Sequence, residues 1–229
     1  MTSRFDCQDE TDRAAGLDAA REAIASKQCV VLPTDTVYGI AADAFSPQAV
    51  ATLLAAKGRG RTMPPPVLIP RLATLDGLAT GISEQARHLA SEFWPGPLTL
   101  ILRAQPSLTW DLGETRGTVA LRIPDDALAR EILDATGPLA VSSANRSGRP
   151  AATTAADAEE QLGESVAVYL EDGRRPREGE AVPSTIVDCT GDAPRVVRLG
   201  ALGVEELRRL VPNLLEPGEE LEEETARRP

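Results

Sequence analysis

Three cations spaced by glycines, Lys57-Gly58-Arg59-Gly60-Arg61, stand in an otherwise acidic chain, and Met63-Pro64-Pro65-Pro66 stiffens the exit from them. Glycine lets backbone N–H groups approach a ligand closely, arginine offers a planar fork for phosphate oxygens, and lysine supplies a compact charge. That set of groups suits a triphosphate. It is not a Walker A loop, because G-x-x-x-x-G-K-[ST] is absent, and no G-x-G-x-x-G follows a strand. A solvated basic loop at a helix end, favoured by the helix dipole, would use the same residues.

Two other segments break from apolar runs into small polar groups. In Leu32-Pro33-Thr34-Asp35-Thr36-Val37-Tyr38-Gly39-Ile40 a strand end opens into hydroxyls and one carboxylate, and open α/β sheets bind ligands at the carboxyl ends of strands. A local Asx or Ser/Thr turn would account for it equally well. In Val141-Ser142-Ser143-Ala144-Asn145-Arg146-Ser147-Gly148 short donors follow a buried run; they can hold a carboxylate or phosphate, or simply cap a turn. No His stands near Ser142 or Ser143 and G-x-S-x-G is missing, so a serine triad is disfavoured. Arg122 and Arg198 are flanked by apolar residues. Buried unpaired they would be costly, so each should meet an anion, either a ligand or an internal Asp or Glu.

The elements that must position these groups alternate. The apolar spacing predicts helices over 14–27, 47–57, 83–93, 125–135 and 154–162, and a short one over 204–210. Ser46 is the expected N-cap of the second, Pro47 its first residue and Gly58 its stop. Strands are predicted over 29–32, 67–69, 98–103, 119–123, 139–142, 166–170, 185–188 and 195–199. The alternation gives an α/β sheet protein. Trp94-Pro95-Gly96-Pro97 reads as core and turn, and 172–183, rich in Gly and Pro, reads as the long loop of the body, either a lid or plain connection.

At 229 residues the chain suits one domain, expected over 1–215, with an acidic, disordered tail over 216–229. That tail holds six Glu against two Arg, −4 of the formal −11, leaving −7 on the body. An acidic body with 3% aromatic residues argues against tight direct tRNA or DNA binding. Cys7, Cys29 and Cys189 lie far apart without a C-x-x-C pair, which indicates neither a disulfide framework nor a zinc site and suits a reducing cytosol. With His88 as the one histidine, two-His metal sites within the chain are excluded; it is read as an exposed helical residue. No apolar stretch approaches the ~18 residues of a membrane span, and no export signal is seen. A soluble cytoplasmic protein is expected.

Taken in order, P-T-D-T-V-Y-G-I, K-x-R with a following Pro, F-W-P-G-P-L-T, a V-A-L-R-I-P strand, S-S-A-N-x-S-G and P-S-T-I-V-D with R-x-G resemble the threonylcarbamoyl-AMP synthase (YrdC-like) family over residues 13–210, in its short single-domain form. The resemblance implies a twisted mixed parallel/antiparallel sheet with flanking helices around a large concave cleft. It also implies a nucleotidyltransferase that joins L-threonine, bicarbonate and ATP, with Mg2+ on the phosphates, into threonylcarbamoyl-AMP. Threonylcarbamoyl transferase machinery would then modify the adenosine beside the tRNA anticodon. By motif, Lys57, Arg59, Ser143 and Asn145 match the catalytic group at the ATP end, with Arg61, Thr118 and Arg198 as further nucleotide contacts. Thr34, Arg122, Ser142 and Ser184 match the threonine end, Arg122 facing the α-carboxylate. Residues 60–66 depart from the family pattern. Two other readings are a non-catalytic RNA-binding or ribosome-associated module, which the acidic charge opposes, and a carbamoyl transferase component, which needs further domains.

Overall fold

The structure, a computed structural model, describes residues 2–220. Among these residues eleven strands form a single sheet: β1 (Ser3–Asp6), β2 (Val30–Leu32), β3 (Gly39–Asp43), β4 (Val67–Leu68), β5 (Ala79–Thr80), β6 (Leu98–Ala104), β7 (Thr118–Arg122), β8 (Leu139–Ser143), β9 (Val168–Glu171), β10 (Thr185–Asp188) and β11 (Arg195–Arg198). Its order is β1-β9-β2-β3-β8-β4-β7-β6-β10-β11, with β5 added to β6. The pairs β1/β9, β2/β9, β4/β7 and β6/β10 are parallel and the rest antiparallel, so the expected mixed α/β sheet is present.

Among the described residues seven helices flank it: α1 (Glu10–Ala25), α2 (Pro47–Lys57), α3 (Leu75–Leu78), α4 (Glu84–Phe93), α5 (Ala127–Thr136), α6 (Ala155–Leu162) and α7 (Val204–Arg208). Alternate strand residues point to opposite faces. Val30, Leu32, Ala41 and Leu68 therefore pack with Ala20 and Ile24 of α1 and Ile132 and Leu133 of α5. Val31, Ile40 and Val67 pack on the other face with Leu53 of α2, Leu89 of α4 and Leu162 of α6.

Caps explain most boundaries. Ser46 accepts from the Ala49 N–H, Pro47 opens α2, and Gly58 ends it in the left-handed region at φ 66°, as the sequence predicts. The first helix begins earlier than predicted because the Asp9 carboxylate accepts from the Thr11 and Asp12 N–H groups and captures one more turn. Strand β3 was not expected. It is a central strand of small residues, Gly39-Ile40-Ala41-Ala42, buried on both faces between β2 and β8, and so carries no period-two pattern. Edge strand β1 is mostly exposed and equally silent.

The Trp94 indole N–H donates to the Leu98 carbonyl at 2.7 Å, in keeping with core and turn. His88 lies exposed on α4. Of the expected tail, Glu216 and Glu219 pair with Arg208 at 2.9 and 2.7 Å, so residues 216–220 carry contacts to the body; 221–229 lie outside the described residues. Between β9 and β10 the 172–183 loop is anchored by Arg175, which is 1% exposed and paired with Asp126 and Asp172.

Candidate active site

Strand ends and two loops enclose a cavity of about 300 Å³. The β2–β3 connection contributes Thr34, Thr36 and Val37, and the basic segment after α2 contributes Arg59, Met63, Pro64 and Pro66. Thr99 of β6, Arg122 at the end of β7, and Ser142 and Ser143 at the end of β8 complete the floor. Pro183, Ser184, Ile186 and Arg198 form the far wall.

Three guanidinium groups face this space, and the described residues lining it include no carboxylate. Arg122 is buried, and donates from Nε to the Gly96 carbonyl (2.9 Å), from Nη1 to Thr36 Oγ1 (3.1 Å) and from Nη2 to Asp35 Oδ1 (2.6 Å). Asp35 also accepts the Asp125 N–H at 2.9 Å. The internal carboxylate partner is thus real, yet each terminal nitrogen of Arg122 keeps one N–H free of these bonds. Arg198 donates to the Ser184 carbonyl from Nε (3.2 Å) and Nη2 (2.7 Å). Burial first, then the positive charges of Arg122 and Arg59, push Arg198 below the usual arginine value. Burial lowers Arg122 too, against the opposing pull of Asp35. Like charges held together at a cost mark a place where an anion belongs.

Arg59 bridges two hydroxyls, with Nη1 at 3.2 Å from Ser142 Oγ and Nε at 3.4 Å from Ser147 Oγ. Lys57 is 1% exposed and turned inward. Its ammonium donates to the Ser143 carbonyl, to the Asn145 carbonyl (2.7 Å) and to Asn145 Oδ1 (3.3 Å), which uses all three of its protons. Asn145 Nδ2 donates in turn to the carbonyls of Arg146 (3.0 Å) and Arg149 (2.7 Å). These two residues frame the turn that follows Ser143. Burial and the neighbouring Arg59 charge lower the Lys57 pKa to about 7. Three acceptors pull the other way, since a neutral amine has only two protons to give.

On the opposite side, Thr34 Oγ1 donates to the Val37 carbonyl (2.6 Å) and accepts from the N–H groups of Thr36 (3.2 Å) and Val37 (3.3 Å). The local turn is present, and it faces the cavity. Ser184 Oγ lies 2.8 Å from Thr99 Oγ1. The R-x-G motif also has a steric reason: a Cβ on Gly200 would lie 2.1 Å from the Pro183 carbonyl oxygen.

The cavity thus gathers Thr34, Arg59, Arg122, Ser142, Ser143, Ser184 and Arg198, with Lys57 and Asn145 directly behind. Arg61 and Thr118 do not line it. Arg61 pairs with Asp111 at 2.7 Å, and the Thr118 hydroxyl donates to the Thr115 carbonyl at 2.8 Å. Thr36 lay within a candidate segment without being singled out, and Thr99 escaped sequence reasoning as a site residue. Thr99 carried a signal: it alternates with Leu98, Leu100 and Leu102 in a strand whose other face is apolar. Among the described residues no group of three or more His, Cys, Asp or Glu side chains could hold a metal, and no helix is long and apolar enough to cross a membrane.

The family model for Sua5, YciO and YrdC proteins, described as telomere recombination, matches residues 22–200. A Mycobacterium tuberculosis protein with the provisional name threonylcarbamoyl-AMP synthase is 51% identical over 211 residues, covering 92% of this chain and 96% of that one. The Bacillus subtilis threonylcarbamoyl-AMP synthase is 36% identical over 186 residues, 80% of this chain but 53% of its own length. The crystal structure of P. abyssi Sua5 complexed with L-threonine superposes with a TM-score of 0.84 at 30% identity, covering 97% of this chain and 65% of that one. The ordered motifs, the mixed sheet and these likenesses agree: the chain belongs to the Sua5/YciO/YrdC family.

Proposed function

We propose that the chain is an L-threonylcarbamoyladenylate synthase, forming threonylcarbamoyl-AMP and pyrophosphate from L-threonine, bicarbonate and ATP. The activated group then passes through threonylcarbamoyl transferase machinery to the adenosine beside the tRNA anticodon, with at most weak direct contact between this acidic chain and tRNA. The observation that carries the reading is the convergence of Arg59, Arg122 and Arg198 on one cavity without a lining carboxylate. A substrate pair bearing a polyphosphate and a carboxylate supplies the missing negative charge.

The free N–H groups on the two terminal nitrogens of Arg122 suit the α-carboxylate of threonine, as a fork grips two oxygens. Thr34, Ser142 and Ser184 offer short hydroxyls around it, and Val37 and Ile186 an apolar contact for its methyl. At the other end Arg59, Ser143 and Arg198 meet the phosphates, while Lys57 and Asn145 hold the turn that presents Ser143. Arg61 and Thr118, which lie outside the cavity, reach the nucleotide where it extends beyond it, Arg61 by leaving Asp111. Mg2+ arrives on ATP as part of the substrate.

The neutral threonine amine attacks bicarbonate carbon, and loss of water leaves a carbamate. A carbamate oxygen then attacks the α-phosphorus, the bond to the bridging β-oxygen breaks, and pyrophosphate departs. The site supplies positioning and positive charge at the phosphates and needs no histidine base. Pyrophosphate release tests the reading: it requires ATP, threonine and bicarbonate together, and release unchanged on omitting threonine or bicarbonate overturns it.

A further inference from the structure

The turn after Ser143 is gripped from outside as well as from within. At the last turn of α6, Gln161 meets both of its ends. The side-chain Oε1 accepts the Arg146 N–H at 3.2 Å, and Nε2 donates to the Pro150 carbonyl at 3.1 Å. The backbone carbonyl of Gln161 accepts Arg146 Nε at 2.8 Å. Inside the same turn, Asn145 Nδ2 bonds the Arg146 and Arg149 carbonyls. One primary amide therefore ties the turn together from each side, Asn145 at its core and Gln161 at its rim.

This turn bears on the cavity through Ser147. Its N–H donates to the Lys57 carbonyl at 2.9 Å, and its hydroxyl lies 3.4 Å from Arg59 Nε. Arg59 in turn lines the cavity. Helix α6 is itself fixed at its start, where Thr154 and Asp157 form a capping box and Glu171 Oε2 accepts the Ala155 N–H at 2.9 Å. A helix capped at its start thus ends on the segment that contacts the Arg59 guanidinium.

We propose that Gln161 is a positioning residue for ATP, acting through residues 146–150 and Ser147 on the orientation of Arg59. The inference rests on the synthase reading above. An amide is needed because the two ends of the turn ask for an acceptor and a donor together. A glutamate keeps the bond from Arg146 but faces the Pro150 carbonyl with a second acceptor.

Gln161→Ala and Gln161→Glu test it by steady-state pyrophosphate release with ATP and threonine varied in turn. Both variants are expected to raise KM for ATP about ten-fold, the effect of one to two hydrogen bonds, and to leave KM for threonine within about two-fold. A purely structural role would lower kcat through the active fraction and leave both KM values in place, and that result overturns the proposal. So does an unchanged KM for ATP in both variants, or an equal rise for the two substrates. If the wild-type chain releases no pyrophosphate, it is the synthase reading that fails; a threonine- and bicarbonate-dependent wild type with unaffected variants sinks the Gln161 role alone.

Discussion

The Lys57 ammonium and the Asn145 side chain meet at 3.3 Å, inside a cluster in which Lys57 also donates to the Ser143 and Asn145 carbonyls. The last residue of α2 thereby fixes the turn at the end of β8, and two segments 86 to 88 residues apart become one wall of the cleft.

Lys57→Ala should strand these acceptors, lowering pyrophosphate release below about 1% of wild type and stability by about 1–3 kcal/mol. Asn145→Ala frees the Arg146 and Arg149 carbonyls and should have the same signature. Lys57→Arg should not rescue, because a planar guanidinium does not fit three convergent acceptors. Initial rates and urea unfolding check this; rates near wild type in both alanine variants contradict it.

The lowered pKa of Lys57, about 7, gives the stability a pH signature. Between pH 7 and the ordinary lysine value near 10.5 the unfolded chain holds a proton that the native chain releases, so stability from this group rises with pH across that window. Below pH 7 the full burial penalty is present. Wild type should gain up to about 1.4 kcal/mol per pH unit relative to Lys57→Met across pH 7 to 10. Unfolding curves that run parallel at every pH would contradict the shift.

Arg122→Lys should raise KM for threonine more than about ten-fold while leaving KM for ATP nearly unchanged, because one point charge replaces a two-pronged grip. Arg198→Ala should do the reverse. Titration of each substrate against both variants decides the assignment, and interchange of the two effects would reverse the orientation proposed for the cleft.

Gly200→Ala should cost at least about 2 kcal/mol, since a Cβ would lie 2.1 Å from the Pro183 oxygen and both partners are backbone or its direct attachment. The displaced Ser184 should also weaken threonine binding. Thermal unfolding and KM for threonine measure the two effects; a variant as stable as wild type contradicts the steric account.

The ATP end was legible in the sequence to different depths. Gly58 and the Ser46-Pro47 start announce α2 by local rules, so the position of Lys57 at a helix end follows from propensity. That Lys57 and Asn145 turn inward does not, because their acceptors arrive from β8 and the following turn, far along the chain. Arg122 was recognisable as a buried cation needing an anion, and Asp35 as a carboxylate beside a strand end. Their pairing depends on β7 and the β2–β3 connection meeting across the sheet. Strand β3 stayed hidden for a related reason: small residues buried on both faces have no alternation to read.

A cleft that joins three substrates into one adenylate leaves the carbon of bicarbonate in its product. Incubation with ATP, L-threonine and 13C-bicarbonate, followed by mass spectrometry, tests it most directly. Threonylcarbamoyl-AMP carrying one 13C per molecule should form in step with pyrophosphate and be lost in Arg122→Lys at limiting threonine. Pyrophosphate or AMP released without a labelled threonylcarbamoyl adduct would contradict it.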